Sequence, residues 1–199
     1  MLAPLPAGRH PTIEAWQALE RRTKREFDAE YVGGKVDHSF WWTFHTYLLQ
    51  GLNAMDDRVR DTLVENTQNS ANWDQILPGT REALERIRKD YKIAVISNAD
   101  GRIDAVLRRC GIVDCFQSIT DSGNVGHEKP HPAIFEAALR EMNADPADSL
   151  YVGDVYSVDY VGARKAGMRA ILFDVAGAYR EREFPRVESL AGLENWLKA

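Results

Sequence analysis

The chain has 199 residues, 44% of them hydrophobic, with 25 basic against 30 acidic residues and a formal net charge of −5. That length allows one sizeable core, or a core with a small appended module. The acidic balance argues against a nucleic-acid binder driven by phosphate neutralisation, and no apolar run approaches the ~20 residues that span a bilayer.

Met1–Pro6 lacks the charged flank and long apolar region of a signal peptide, so a cytoplasmic chain is expected. Thr12 is placed as the N-cap of a first helix carrying Ile13, Trp16, Leu19 and Phe27. Within it, Glu20-Arg21-Arg22-Thr23-Lys24-Arg25 interleaves basic and acidic side chains and reads as a solvated face. Gly33-Gly34 breaks the pattern, and Asp37 is placed to cap a second helix. That helix lines up Phe40, Trp41, Phe44, Tyr47 and Leu48 on one broad face, with Trp42 off the stripe and expected to be the more exposed. The aromatic set suits a helical core alone, or a core that also walls a substrate pocket or a subunit interface. A third helix runs from about Asp57 through Val59 and Leu63 to Val64 and gives way to the polar stretch Asn66–Asn72.

After Pro78-Gly79 the period changes. A helix with Leu84 and Ile87 leads to the apolar run Ile93–Ile96, followed by a helix from Ile103 to Arg109 and a strand from Phe116 to Thr120. A helix over about Ala133–Met142 precedes Ser149–Val152, another ends at Gly167, and Ala170–Phe173 is the last clear strand. Short, continuously apolar strands alternating with helices predict an α/β fold with a parallel, Rossmann-like sheet. The expected division is a helical cap module over residues 1–76 and an α/β core over 77–199. The two cysteines, Cys110 and Cys115, have neither zinc-pair nor redox spacing.

In such sheets ligands sit outside the carboxyl ends of the strands, so polar residues just after apolar runs are the candidates. Ser97-Asn98 follows Ile96; Gly153-Asp154 follows Val152, with Asp159 a little further on; Lys129 can join from the Gly123–Pro132 loop. A hydroxyl, a lysine and helix N-termini suit phosphate or another anion, and paired carboxylates suit a hard cation such as Mg²⁺. His127-Glu128-Lys129-Pro130-His131 formally matches a zinc-protease signature, but Pro130 and Pro132 prevent the continuous helix that signature needs.

The ordered set Val95-Ile96-Ser97-Asn98, Lys129-Pro130-His131-Pro132-Ala133-Ile134-Phe135 and Val152-Gly153-Asp154 with Asp159 resembles the haloacid dehalogenase (HAD) superfamily over about Pro78–Gly177. The likeness is to its phosphatase-like branch with a helical cap. The resemblance implies that Ser97 binds a transferring phosphoryl group, Lys129 neutralises it, Asn98 positions substrate or the preceding loop, and Asp154 holds Mg²⁺, with Asp159 as a further metal ligand or as support behind it. Lys129 and Asp154 are the expected catalytic pair.

The family's first motif, an apolar strand ending Asp-x-Asp that supplies nucleophile and general acid, has no match before Thr12, and Met1–Pro11 contains no aspartate. The resemblance places that strand centrally, between those ending at Ser97 and Asp154. Its absence can be met by a substitute segment, by direct pairing of the two strands, or by a second copy, and the last predicts a homodimer. Ile171-Leu172-Phe173-Asp174 imitates the missing motif, with Ala176 where the second aspartate belongs, and reads as an ordinary late strand. Loss of a nucleophile costs on the order of 10⁶ in rate. The expectation is therefore a truncated HAD-like hydrolase acting slowly and promiscuously on phosphate-type esters, with Asp28, Glu30 or Asp37 conceivable as base. A non-catalytic anion-binding protein, or a fragment of an ordinary aspartate-nucleophile phosphatase, is the alternative.

Overall fold

The computed structural model describes residues 11–32 and 39–199. Thr12 begins helix α1 (Ile13–Val32), its Oγ1 accepting the Ala15 N–H at 3.2 Å. Asp37 and Gly33-Gly34 lie outside the described residues. Helix α2 (Phe40–Gly51) is capped instead by Ser39, whose side chain accepts the Trp42 N–H, and α3 (Asp57–Gln68) by Asp56.

The aromatic stripe of α2 is not its buried face. Thr43, His45, Thr46 and Leu49 are buried, whereas Phe40, Trp41, Trp42, Phe44 and Tyr47 are all half-buried. Hydrogen bonds at Thr46 and at His45 Nε2 offset part of the cost of burying these side chains. Thr46 donates to the Trp42 carbonyl at 2.8 Å, and His45 Nε2 pairs with Thr67 Oγ1 at 2.8 Å. The aromatics pack on one another, Phe40 edge-to-face with Phe27 at 5.6 Å and Trp41 tilted against Trp73 at 5.4 Å, while the Arg60 guanidinium covers Trp42.

The α/β portion follows in chain order: α4 (Thr80–Ile87), β1 (Ala94–Ser97), α5 (Ile103–Arg109), β2 (Ser118–Asp121), α6 (Ser122–Val125), α7 (Pro132–Met142), β3 (Leu150–Gly153), a π-helix (Tyr156–Tyr160), α8 (Val161–Lys165), β4 (Arg169–Phe173), β5 (Arg186–Val187) and α9 (Leu190–Leu197). Every strand pair is parallel, as the continuously apolar runs predict. The strands form two separate sheets, β1–β2 and β3–β4–β5. Strand β5 and helix α9 extend beyond the last strand legible in the sequence; two residues are too few to show a period.

One core cluster sets Ile134 and Phe135 of α7 against Tyr151, Ala163, Met168 and Ala170, with Ile96 at its margin. A second joins Ile171, Val187 and Leu193, with Ile87 and Trp196 packed on it. Strand β4 is buried over Ala170–Leu172, whereas all four residues of β1 are only half-buried. Among the described residues no strand pairs with the second edge of β1 or of β3, and the two do not pair with each other. Cys115 is buried and Cys110 half-buried, both as free thiols.

The basic cluster of α1 is not a solvated face. Thr23 and Lys24 are almost wholly buried, Arg21 donates to the Ala176 carbonyl at 2.9 Å and Arg25 to that of Ala178 at 2.9 Å. Charge alternation predicts solvation only when nothing else covers the helix; here α1 packs against the π-helix, and its cations meet the Ala176 and Ala178 carbonyls after β4 and the Asp154 carboxylate after β3.

Candidate functional site

Strand β1 ends at Ser97, half-buried, and Asn98 lies just beyond it, exposed. The Asn98 amide grips the Lys129 backbone from both sides: Nδ2 donates to the Lys129 carbonyl at 3.1 Å, and Oδ1 accepts the Lys129 N–H at 2.7 Å. Asn98 thus sets the loop that carries Lys129. That loop is a turn, not a helix, so His127 and His131 stack with ring centroids 4.3 Å apart, and His131 Nδ1 accepts the Ala133 N–H to cap α7.

Lys129 then reaches away from β1 towards β3. Its Nζ lies 2.8 Å from Asp159 Oδ1 and 2.8 Å from the Tyr151 hydroxyl, which is itself 3.4 Å from the Ile96 carbonyl oxygen. The opposite carboxylate oxygen, Asp159 Oδ2, accepts the N–H groups of Asp154 and Val155, both at 3.0 Å. Side chains therefore bridge the two sheets where no backbone ladder does.

Gly153 makes the bridge possible. A Cβ there would sit 2.4 Å from Asp159 Cβ and 2.8 Å from the Tyr151 ring. Gly162 plays the same part behind Lys129, where a Cβ would lie 2.8 Å from the Phe135 ring and 2.9 Å from Pro130 Cα.

Burial works against the Lys129 ammonium, but the adjacent Asp159 charge more than offsets it and leaves its pKa raised. Burial likewise works against the Asp159 carboxylate, and Lys129 with the two amides holds its pKa below the ordinary value. Burial and the Asp159 charge push the Tyr151 phenol up.

Asp154 differs from its neighbours. Its side chain is 58% exposed, and its Oδ2 lies 3.0 Å from Nζ of Lys24 on α1. Lys24, 1% exposed, also pairs with Glu20 at 2.7 Å. Burial lowers the Lys24 pKa less than Asp154 and Glu20 raise it, so the net shift is upward. Glu20, Lys24, Val152, Gly153, Asp154 and Phe173 border an open cleft of about 490 Å³.

One turn further along α1, Asp28 accepts the Ser157 N–H at 2.9 Å and the Tyr179 hydroxyl at 2.7 Å; burial raises its pKa despite both bonds. Both Asp28 oxygens are taken, so it is no free base. Asp174 is wholly buried, accepting the N–H groups of Ala178 at 2.7 Å and Tyr179 at 3.0 Å. It shapes the turn after β4, and its burial opposes a nucleophilic role.

The structure thus joins Asn98, Lys129, Asp154 and Asp159 in one bonded chain and leaves Ser97 at its rim. Lys24, Tyr151 and Tyr179 are additions that sequence reasoning missed, and Asp28, conceived there as a base, is instead the acceptor that ties α1 to Ser157 and Tyr179. For Lys24 and Asp28 a signal existed: Glu20, Lys24 and Asp28 recur every four residues on the stripe that carries Phe27.

These residues do not fit a divalent ion as they stand. Such an ion takes hard oxygens of its own, yet both oxygens of Asp159 accept protein donors and Asp154 is paired with a buried ammonium. No group of three or more His, Cys, Asp or Glu side chains that could hold a metal occurs among the described residues.

A Rossmann-like protein with a lysine–carboxylate cluster at its strand ends is the class that fold and site define. The family model for haloacid dehalogenase-like hydrolases matches residues 6–167, and the chain belongs to that family. It is 37% identical over 145 residues to haloacid dehalogenase-like hydrolase domain-containing protein 3 of Mus musculus, covering 69% of this chain and 56% of that one. To glyceraldehyde 3-phosphate phosphatase of Methanothermobacter thermautotrophicus it is 39% identical over 108 residues, 53% of this chain and 48% of that one. The chain therefore spans about half the length of these relatives. In fold it is similar to the HAD-hydrolase YfnB of Bacillus subtilis, solved bound to magnesium, with a TM-score of 0.67 at 16% identity, covering 99% of this chain and 86% of that one.

Proposed function

We propose that this chain hydrolyses small phosphorylated or otherwise anionic compounds, slowly and without an aspartyl nucleophile. The observation that carries the reading is Lys129, a buried ammonium fixed at the carboxyl ends of both sheets by Asn98, Asp159 and Tyr151. Phosphatase relatives support the substrate class.

In this reading the Ser97 hydroxyl donates to a substrate oxygen, and Lys129 offsets the charge that builds on the phosphoryl group. Asp154, the open carboxylate of the cluster, orients a water. The water oxygen attacks phosphorus, its proton passes to Asp154, the bond to the leaving oxygen breaks, and that oxygen takes a proton from solvent. Magnesium is the ion the family resemblance implies, but it would require Asp154 to release Lys24, and no step here runs through it.

We read residues 1–76 as a cap fastened to the 77–199 core through α1, in a cytoplasmic homodimer. The edges of β1 and β3 that no described strand covers, and the exposed Ile13, Trp16 and Trp73, support the dimer. A monodisperse monomer in light scattering at micromolar concentration would refute it.

Activity is tested on activated phosphate mono-, di- and triesters, with and without Mg²⁺, beside Lys129→Ala, Asp154→Asn and Asp174→Asn. Loss of turnover is expected in the first two variants and retention in the third. Parental rates in the first two would remove this pocket from consideration. No turnover in any sample, with phosphate still bound through Lys129, would favour the non-catalytic anion-binding protein.

A further inference from the structure

Lys24 has no role in a reading that uses only the strand ends, yet it is among the most deeply buried side chains described, 1% exposed. An ammonium taken out of water is retained only when carboxylates surround it. Here it has two, Glu20 Oε1 at 2.7 Å from its own helix and Asp154 Oδ2 at 3.0 Å from the end of β3. The three groups line one wall of the 490 Å³ cleft.

A divalent ion on Asp154 would stand about 2 Å from a carboxylate oxygen. On Oδ2 it would stand against the Lys24 ammonium, and on Oδ1 it would still share one carboxylate with that cation, so the two repel in either position. Asp159 offers no alternative ligand, since Lys129, Tyr151 and two backbone amides occupy it.

We propose that Lys24 is the resident cation of Asp154: a tethered ammonium carried by the cap helix takes the position a metal ion would need, so the folded protein excludes Mg²⁺ from this carboxylate. The inference concerns the same pocket as the hydrolase reading but does not depend on turnover. It assigns α1 a part in the site's charge, and it makes Mg²⁺ and a docked α1 competitors.

Two measurements on the full chain test it. The first is calorimetric titration of Mg²⁺ into the parent, Lys24→Met and Asp154→Asn, with circular dichroism to establish that each is folded. The parent is expected to bind no Mg²⁺ at millimolar concentration. Folded Lys24→Met should bind it, with affinity tighter by on the order of tenfold to a hundredfold. Folded Lys24→Met that takes up no more Mg²⁺ than the parent would overturn the proposal.

The second needs no lysine variant. The ¹⁵N resonance of the buried Lys24 ammonium is assigned and followed through a Mg²⁺ titration, with Asp154→Asn as control. An unmoved resonance in the parent, displaced by Asp154→Asn, is the expected result. A saturable Mg²⁺-dependent shift that Asp154→Asn abolishes would show the ion evicting the lysine and would overturn the proposal even if Lys24→Met does not fold. Inorganic phosphate is titrated separately. Its failure to bind would remove the hydrolase reading and leave the Lys24 result untouched.

Discussion

The half-sheet β1–β2 presents Ser97 half-buried and Asn98 exposed, whereas β3–β4–β5 draws Tyr151 and Asp159 into the interior. The first half has two polar links to the site, the Asn98 grip on Lys129 and the Ile96 carbonyl oxygen 3.4 Å from the Tyr151 hydroxyl. The second has an interlocked set in which Asp159 alone accepts four donors. An open edge thus concentrates cohesion in the side chains that cross it, and substitutions should hurt in proportion to how many crossings they cut.

Breaking the Lys129–Asp159 pair is the severest test. Lys129→Met or Asp159→Asn leaves one buried charge uncompensated and should cost about 3–5 kcal/mol in urea unfolding. The pH dependence follows from the shifts. Asp159 is lowered from its ordinary 3.8, so its contribution is present above that value and lost as pH falls through the lowered one. Lys129 is raised from 10.5, so its contribution is present below that value and lost as pH climbs through the raised one. The stability gap between parent and Asp159→Asn should be widest at neutral pH and narrow in acid; a gap constant from about pH 3 to 7 would break the assignment.

Gly153→Ala comes next. Its new methyl would meet Asp159 Cβ at 2.4 Å, and about 1–3 kcal/mol is expected from the forced shift, with Lys129 displaced in the crystal structure of the variant. Asn98→Ala should cost less, about 1 kcal/mol, because water can replace part of what the exposed amide gives. Its larger effect should fall on phosphate affinity, as the loop loosens. Ser97→Ala should leave thermal stability within about 0.5 kcal/mol while weakening phosphate binding, which a paired denaturation and calorimetry measurement would separate.

The strand ends were legible because an apolar run followed by polar residues has one meaning in a parallel sheet, and Ser97 and Asp154 do stand at the ends of β1 and β3, whereas Lys129 reaches them from a loop and Asp159 from the π-helix. Of the three ways to meet the missing strand, neither a substitute segment nor direct pairing of β1 with β3 occurs among the described residues. The burial of α1 was not. Arg21 donates to a carbonyl 155 residues away and Asp28 accepts an amide 129 residues away, and local charge alternation carries no trace of such partners. The buried threonines of α2 escaped for a related reason, because hydropathy ranks Thr46 as polar without registering that its hydroxyl is satisfied within its own helix.

The π-helix at Tyr156–Tyr160 sets the angular phase of everything after it. A π turn holds one residue more than an α turn, and each residue of an α-helix advances about 100° around the axis. The wide turn lets Asp159 face Lys129 while Gly162 and Ala163, a few residues on, still face Phe135 and the core. Deleting Val158 would let the segment relax into an ordinary helix, and the two orientations could no longer be met together. The extra residue works as a gear offset between the lysine cluster and the packing of α8.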